Sequence, residues 1–296
     1  MPWGRRVVLF GGTMLYINWK DENDKKMQVV ERNGVTYLEF PKISSTELVI
    51  HGFSTRLGGV SSGIYGTMNL SFTRGDEEEA VSENYRRISS ALGVPVESIV
   101  TSDQTHTTNV RLVGKEDCGS GVMRQRKFQD VDGMITDEPG VTLATFYADC
   151  VPLYFVDPVH LAIGLSHSGW RGTKDKMGKV TVEAMTEAFG TRPSDLVTAI
   201  GPSICQDCYE VSEDVIEEFS VAFEEGLHPS LFYRKENGKY QLNLWEANRQ
   251  ILLEAGVDEK KIQMPNLCTC CNPEFLFSHR ASKGKRGNLG AFLMLM

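Results

Sequence analysis

Three short apolar runs between residues 141 and 166 constrain the fold most. Thr142–Tyr147, Pro152–Val156 and Leu161–Ser166 each contain five or six residues. Runs of that length are typical of buried strands and are far shorter than the ~20 residues of a membrane span. The second and third runs are joined by Asp157-Pro158-Val159-His160, a connection that predicts a β-hairpin. The chain is therefore expected to contain a sheet with antiparallel neighbours.

Further strands and four helices are predicted around this hairpin. The other strand candidates are Thr36–Phe40, Leu48–Ser54, Ile99–Thr101, Val110–Val113, Gly133–Thr136 and Leu196–Ile200. Helices are predicted over residues 76–92, 174–189, 212–225 and 243–255, followed by Gly93, Gly190, Gly226 and Gly256. A glycine directly after a helix is typical of a C-terminal cap with positive φ. Short strands with hairpins, interrupted by a few helices, predict an α+β fold.

Size, charge and cysteine content exclude several classes of protein. The 296 residues carry a net charge of −8, which argues against bulk binding to nucleic acid or anionic membranes. Seven cysteines, an odd number, indicate a reducing compartment, so we expect a cytoplasmic protein.

We expect a peripheral N-terminal segment over residues 1–30, with a hairpin tip or loose segment at Lys20–Lys26. A single catalytic domain over residues 31–296, monomeric or weakly homo-oligomeric, would follow it.

Three potential metal ligands follow strand candidates. Cys150 comes shortly after Thr142–Tyr147, His167 directly follows Leu161–Ser166, and His106 lies just beyond a third strand. Catalytic groups often collect where loops leave a rigid scaffold. Two imidazoles and one thiolate match the ligand set of a catalytic zinc ion, whose fourth position stays open. Because the three residues are widely and unevenly spaced along the chain, they form no local motif, and buried hydrogen-bonded side chains remain an alternative.

The same residues permit other chemistry. Cys150 could be a nucleophile with His167 as its base, as in a Cys-His amidohydrolase. Two histidines and a cysteine also superficially match a blue-copper site, as in a copper-dependent phenol oxidase. Six histidines in total are too few for a multicopper arrangement, so copper is the weaker expectation. Asp149, next to Cys150, could orient a ligand or shuttle a proton, or could be a buried hydrogen-bonding residue.

Three arginines are candidates for binding an anion. Arg56 lies before Gly58-Gly59, Arg171 lies in a glycine-flanked turn before a helix, and Arg280 precedes a basic stretch, Lys283–Arg286. A helix N-terminus offers backbone N–H groups to an anion, and arginine adds a bidentate fork for phosphate. The alternative is that all three are surface charges beside ordinary turns.

The remaining cysteines include two pairs with C-x₂-C spacing. Cys205 and Cys208 form one pair, and Cys268 and Cys271 form the other, with Cys270 inside it. This spacing is typical of zinc ribbons, but a long stretch of chain with a predicted helix separates the pairs, more than the motif allows. The sequence therefore favours incidental thiols in loops.

Several blocks of sequence resemble the laccase-domain, or polyphenol-oxidase, proteins, now regarded as multifunctional purine nucleoside phosphorylases. The blocks are His51–Arg56 with Gly58–Ser61, Gln104–His106, Asp132-Gly133 through Ala148–Pro152, His167–Gly172, Ile200–Cys205 with Tyr209–Val211, and Phe277–Arg280. The likeness covers about residues 45–296. The combination of Ala148–Pro152 with His167–Gly172 is specific.

The resemblance implies a fold, a metal site and an activity. It implies a layered α/β sandwich of mixed sheets with flanking helices, similar to a deamidating bacterial toxin. The family's Zn²⁺ ligands fall on His106, Cys150 and His167. The implied activity is phosphorolysis of adenosine, inosine, guanosine and methylthioadenosine, together with adenosine deamination. A purine nucleoside and phosphate would then be the small-molecule partners, with Arg56, Arg171 and Arg280 as phosphate-binding candidates.

Overall fold

The computed structural model describes residues 4–10, 13–20 and 27–296, with side chains described from residue 15 onward. All but the first residue of the predicted loop Lys20–Lys26 lies outside the described residues. The strands are β1 (Gly4–Phe10), β2 (Thr13–Trp19), β3 (Gln28–Arg32), β4 (Val35–Glu39), β5 (Val49–Ser54), β6 (Ile99–Thr101), β7 (Val110–Leu112), β8 (Gly133–Thr136), β9 (Thr142–Tyr147), β10 (Val151–Asp157), β11 (Ala162–Ser168), β12 (Val197–Ile200), β13 (Glu210–Val211), β14 (Phe232–Arg234), β15 (Tyr240–Leu242), β16 (Ile262–Gln263) and β17 (Leu289–Leu295). The α-helices are α1 (Pro41–Ser44), α2 (Glu78–Leu92), α3 (Trp170–Lys174), α4 (Met177–Phe189), α5 (Glu213–Ala222), α6 (His228–Leu231), α7 (Leu244–Glu254) and α8 (His279–Ser282).

Two mixed sheets form the body of the fold. One has the strand order β3-β4-β5-β17-β9-β6, and the other has the order β16-β12-β10-β11-β8-β7. The inner faces share one core, in which Phe53 and Leu293 of the first sheet pack with Tyr154 and Leu165 of the second. The predicted α+β sandwich is confirmed.

Helices cover the outer faces of both sheets. Helix α2 contributes Tyr85 and Ile88 to a cluster with Phe292 of β17. Helices α4, α5 and α7 pack on the second sheet, where Phe219 and Ile251 join Phe155 of β10. Alternate residues of a strand point to opposite faces, so Tyr154 enters the inner core while Phe155 contacts the helices. None of the described helices is long and apolar enough to cross a membrane.

The predicted hairpin is confirmed as β10 and β11, and its register positions the functional residues. The strands pair antiparallel, with Val156 opposite Ile163 and Pro152 opposite His167. Both strands are longer than the apolar runs predict. Cys150 therefore directly precedes β10, and His167 lies within β11 rather than beyond its end.

Some element boundaries differ from prediction for local backbone reasons. The helix predicted at 174–189 is divided into α3 and α4, because Lys176 takes φ of +62° between them. Gly93, Gly190 and Gly256 have the expected positive φ. The helix predicted to end before Gly226 instead ends at Ala222, and Gly226 lies in a short 3₁₀ turn.

Candidate active site

Three side chains from separate elements meet at one end of the sandwich. The potential ligand atoms of His106, Cys150 and His167 all lie within 4.8 Å of one another. The two imidazole rings are 5.0 Å apart between centroids and nearly perpendicular. The structure thus brings together the three residues predicted from sequence, although they lie far apart along the chain.

A buried carboxylate, Asp132, orients this cluster. Its Oδ1 lies 2.6 Å from Nδ1 of His167, which leaves Nε2 of that ring directed away from the carboxylate. Its Oδ2 accepts hydrogen bonds from the backbone N–H groups of Thr105 (2.9 Å) and Thr107 (3.0 Å). These two residues flank His106, whose φ is +69°. One carboxylate therefore fixes one imidazole directly and the other through its backbone.

The cluster is strongly coupled electrostatically. Burial alone would raise the pKa of the Cys150 thiol, but the charge of His167 and hydrogen bonds with both histidines lower that pKa to about 6. Burial alone would lower the pKa of His167, but the Cys150 charge and Asp132 raise it to about 9. Without a metal, the cluster is therefore a thiolate–imidazolium pair at neutral pH. A bound cation would replace the imidazolium proton as the partner of the thiolate.

Gly169 allows the backbone to approach the cluster closely. A Cβ atom at this position would lie 3.2 Å from Sγ of Cys150 and 3.0 Å from Cδ2 of His106. Both distances are shorter than ordinary van der Waals contacts. The absence of a Cβ atom thus explains why glycine stands at this position of the His167–Gly172 block. The sequence context alone does not reveal this.

A cavity of about 460 Å³ opens beside the cluster. His106, Cys150 and His167 line it together with the aromatic residues Phe72, Tyr85, Phe146 and Tyr147. The rings of Phe72 and Tyr85 stack in parallel, with centroids 5.6 Å apart. The size and aromatic content suit a small molecule with a flat ring.

Three arginines that the sequence analysis did not single out also line this cavity: Arg74, Arg126 and Arg286. Arg126 forms an ion pair with Asp103. Within the described part of the chain, Arg74 and Arg286 pair with no carboxylate, and the buried Nε of Arg286 has no hydrogen-bond partner. Burial and the neighbouring charge of Arg74 lower the pKa of Arg286 to about 10. Two neighbouring cations that form no ion pair with a described carboxylate make this part of the cavity suited to an anion, although the more distant charge of Asp149 acts in the opposite direction to Arg74 on the pKa of Arg286.

The arginines predicted from sequence lie elsewhere and, among the described residues, are not part of the cavity lining. Arg56 donates from Nε to the Gly66 carbonyl and from Nη1 to the Pro273 carbonyl. Arg280 donates to the carbonyls of Cys208 and Glu210. Arg171 is exposed and stacks on the ring of Trp170. Backbone carbonyls therefore accept two hydrogen bonds from each of the guanidinium groups of Arg56 and Arg280, which connects the loops on which these residues lie.

Asp149 is held by neighbours other than the predicted ligands. Its Oδ1 accepts a hydrogen bond from Oγ1 of Thr269 (2.6 Å), and its Oδ2 accepts one from the backbone N–H of Arg280 (2.7 Å). Its φ is +90°. The carboxylate therefore fixes the strained turn immediately before Cys150.

The thiols expected to be incidental lie together instead. Sγ atoms of Cys205, Cys208, Cys268 and Cys271 are within 4.8 Å of one another. The sequence did not predict this proximity, because the two pairs lie far apart along the chain and their loops meet only once the sheets form.

Comparison of the sequence with known proteins identifies the family of this chain. A family model described as multi-copper polyphenol oxidoreductase laccase matches residues 50–296. The chain belongs to this family. The resemblance predicted from the sequence blocks is thereby confirmed.

Relatives of this laccase-family chain carry names of nucleoside enzymes. Purine nucleoside phosphorylase YlmD of Bacillus subtilis is 35% identical over 249 residues, which cover 83% of this chain and 88% of the relative. Adenosine deaminase RL5, from an unknown prokaryotic organism, is 32% identical, covering 82% and 94%. The crystal structure of the hypothetical protein YfiH of Bacillus licheniformis has a TM-score of 0.84 at 31% identity, covering 92% and 100%. The prediction of an enzyme is confirmed.

The donor set of this laccase-family site fits a transition metal. Neutral imidazole and thiolate suit zinc and also copper. The Asp132–His167 contact is the arrangement in which a carboxylate holds a ligating histidine in one tautomer. A bound cation would favour the deprotonated thiol of Cys150 and the neutral imidazoles that such metals bind.

The substitution Asp132→Asn weakens the contact that orients His167. It should therefore lower the metal affinity of the cluster, and with it the activity, by roughly 10–100-fold. Metal titration monitored by a competing chelator would measure the change. Asp130→Asn is the matched control, since Asp130 contacts Thr105 and Asn109 side chains but neither imidazole. Equal behaviour of the two variants would contradict the orienting role of Asp132.

Proposed function

We propose that the chain is a zinc-dependent purine nucleoside phosphorylase that also deaminates adenosine. Its substrates would be adenosine, inosine, guanosine and methylthioadenosine, which phosphate would cleave to the free base and the sugar 1-phosphate. The observation that carries the proposal is one cavity containing both the His106–Cys150–His167 cluster and two arginines that have no carboxylate partner among the described residues. The relatives named as phosphorylase and deaminase support the same choice of substrate class.

His106, Cys150 and His167 would hold the zinc ion, which supplies Lewis-acid chemistry when bound. Asp132 keeps the His167 Nδ1 proton and so presents the other ring nitrogen to the cluster. Tyr147 packs against the His167 ring at 5.5 Å between centroids and limits the movement of that ligand. These contacts preorganise the site before substrate enters.

In this proposal the base and phosphate contact different residues of the cavity lining. Phe72, Tyr85 and Phe146 give the purine apolar surface, and offset or edge contacts with such rings favour a flat base. Arg74 and Arg286 would bind phosphate and hold it against the sugar carbon that it attacks. Phosphorolysis depends largely on positioning and on stabilising developing charge, which two cations can provide without a covalent intermediate.

A Cys-His amidohydrolase is the second candidate. The low thiol pKa of Cys150 and the raised pKa of His167 are those of an activated nucleophile beside an acid–base partner. In this alternative, Asp132 would orient the base as the third member of the group. The two candidates differ in their need for metal and phosphate.

Incubation of adenosine with the purified protein tests the proposal. With phosphate we expect adenine and ribose 1-phosphate, and without phosphate we expect inosine, separated by chromatography. Chelation should abolish both products, and zinc should restore them. Full activity in protein shown by elemental analysis to be metal-free would contradict the zinc proposal, and restoration by copper alone would identify the other metal. Absence of any nucleoside product in zinc-loaded protein would contradict the substrate class.

A further inference from the structure

A second cluster of potential metal ligands lies apart from the cavity. Cys205 and Cys208 belong to the loop after β12, whereas Cys268 and Cys271 belong to the loop between β16 and α8. Their four sulfur atoms lie within 4.8 Å of one another. Cys205 and Cys268 are buried, and the other two are half-buried. A single ion could therefore contact all four thiolates.

Backbone contacts align the two loops. Ser203 and Cys268 form a parallel β-bridge, and the backbone N–H of Thr269 donates to the Ser203 carbonyl at 3.2 Å. The backbone N–H of Cys205 lies 3.2 Å from Sγ of Cys268. Such a hydrogen bond stabilises a thiolate more than a neutral thiol, because the acceptor is then charged. The two loops therefore hold the four sulfur atoms close together through backbone contacts alone.

We propose that Cys205, Cys208, Cys268 and Cys271 bind a structural Zn²⁺ ion. Four thiolates in two C-x₂-C turns give a closed tetrahedral site, which leaves no position for a substrate. Each thiol loses its proton on binding, so the ion and four thiolates carry a net charge of −2. This site is independent of the metal proposed at His106, Cys150 and His167.

The surroundings suit a closed, partly dry anionic centre. Trp245 packs against Cys205 and Cys268, and its Nε1 donates to Oγ of Ser203 at 2.7 Å. Nζ of Lys20 lies 5.5 Å from the centroid of the Trp245 ring. Nζ of Lys20 also forms an ion pair with Asp207 at 2.9 Å, so its charge is shared between that carboxylate and the cluster, while the indole excludes water from one side.

The ion would fasten three distant segments together. The backbone N–H of Asn18 in β2 donates to Oδ1 of Asn272 at 2.7 Å, which ties the N-terminal hairpin to the second cysteine loop. Thr269, inside that loop, donates to Asp149 next to Cys150. Arg280 donates to the Cys208 carbonyl of the first loop. The zinc ion would thus hold in place the loops that fix the turn before Cys150.

Zinc analysis of the chain carrying His106→Ala tests the site without the other metal. We expect one zinc ion per chain in this variant. Adding Cys208→Ser or Cys271→Ser should remove it, and should lower the thermal midpoint. Cys270→Ser is the matched control, because Cys270 lies in the same loop but outside the four-sulfur group. It should retain the zinc ion.

Several results would overturn the proposal. One is a His106→Ala protein that folds without zinc, and another is a protein that carries iron at this site. A third is a shortfall of reactive thiols in the wild-type chain when it is unfolded with a chelator and without reductant. Zinc binding predicts that all seven cysteines react, whereas two disulfides in the cluster would remove four of them. The wild-type thiol count does not depend on any variant folding. Loss of nucleoside activity with zinc retained at the four cysteines would contradict only the proposed function.

Discussion

Alanine at either His106 or Cys150 is expected to lower turnover of adenosine by roughly 10³-fold or more, the upper range for losing one electrostatic contact in a transition state. Each substitution leaves only two of the three potential metal ligands that the structure brings together. Metal affinity there should fall with activity, because incomplete ligation weakens both. Elemental analysis and product chromatography on the same samples would measure the two effects.

The nucleophile alternative predicts a different set of results. His106→Ala would then be mild, a chelator would have little effect, and iodoacetamide would modify Cys150 rapidly in active protein. Bound metal instead engages the sulfur lone pair and slows alkylation. Cys118→Ala is a suitable control, because this half-buried thiol lies outside both cysteine-containing clusters. Rapid alkylation of an active, metal-free protein would favour the amidohydrolase.

Arg286→Gln should separate the two reactions proposed for the site. Removing one of the two cavity cations proposed to bind phosphate should reduce phosphorolysis by roughly 10²–10³-fold, since truncating a desolvated charge contact costs several kcal/mol. Deamination, which uses water rather than phosphate, should change only a few-fold. Product ratios measured over a series of phosphate concentrations would show a raised KM for phosphate and retained formation of inosine.

A second variant guards against a purely structural effect at this buried position. Arg74→Gln alters the exposed member of the pair and should shift the product ratio in the same direction. Arg171→Gln is the matched control, because that guanidinium stacks on Trp170 outside the cavity. If Arg171→Gln impairs phosphorolysis while Arg286→Gln and Arg74→Gln do not, phosphate binds at Arg171, as the sequence analysis predicts, and not at the two cavity arginines.

Local sequence patterns predicted many of the elements. Ile99–Thr101, Gly133–Thr136 and Thr142–Tyr147 match the observed strands at both ends, because apolar runs bounded by turn residues leave few other conformations. His106, Cys150 and His167 were identifiable because metal-ligating residue types followed several strand candidates. The sequence could not supply the distances between them, which depend on the pairing of β10 with β11 and, for His106, on the contacts of Asp132 with its backbone neighbours.

Other features depend on contacts that no local pattern encodes. Strand β17 was not predicted, although Leu289–Leu295 is an apolar run of the same kind as Thr142–Tyr147 and is buried along its whole length. Its place between β5 and β9 has no local signal in the sequence. Arg286 ends a basic stretch that resembles an exposed turn, yet the fold places it in the cavity. The four-cysteine cluster likewise requires the alignment of Ser203 with Cys268, which come from loops far apart in the chain.

The position of β17 governs the order in which the protein can assemble during synthesis. In the first sheet, β17 lies between β5 and β9, although it is the last strand in the chain and both of its neighbours lie in the first half. Until this strand leaves the ribosome, β5 and β9 each present an unpaired edge, and exposed edges recruit other chains. Closure over such long loops is also slow. Nascent chains that stall before Leu289 should therefore depend on chaperones, and release of the last strand would convert two separate half-sheets into one.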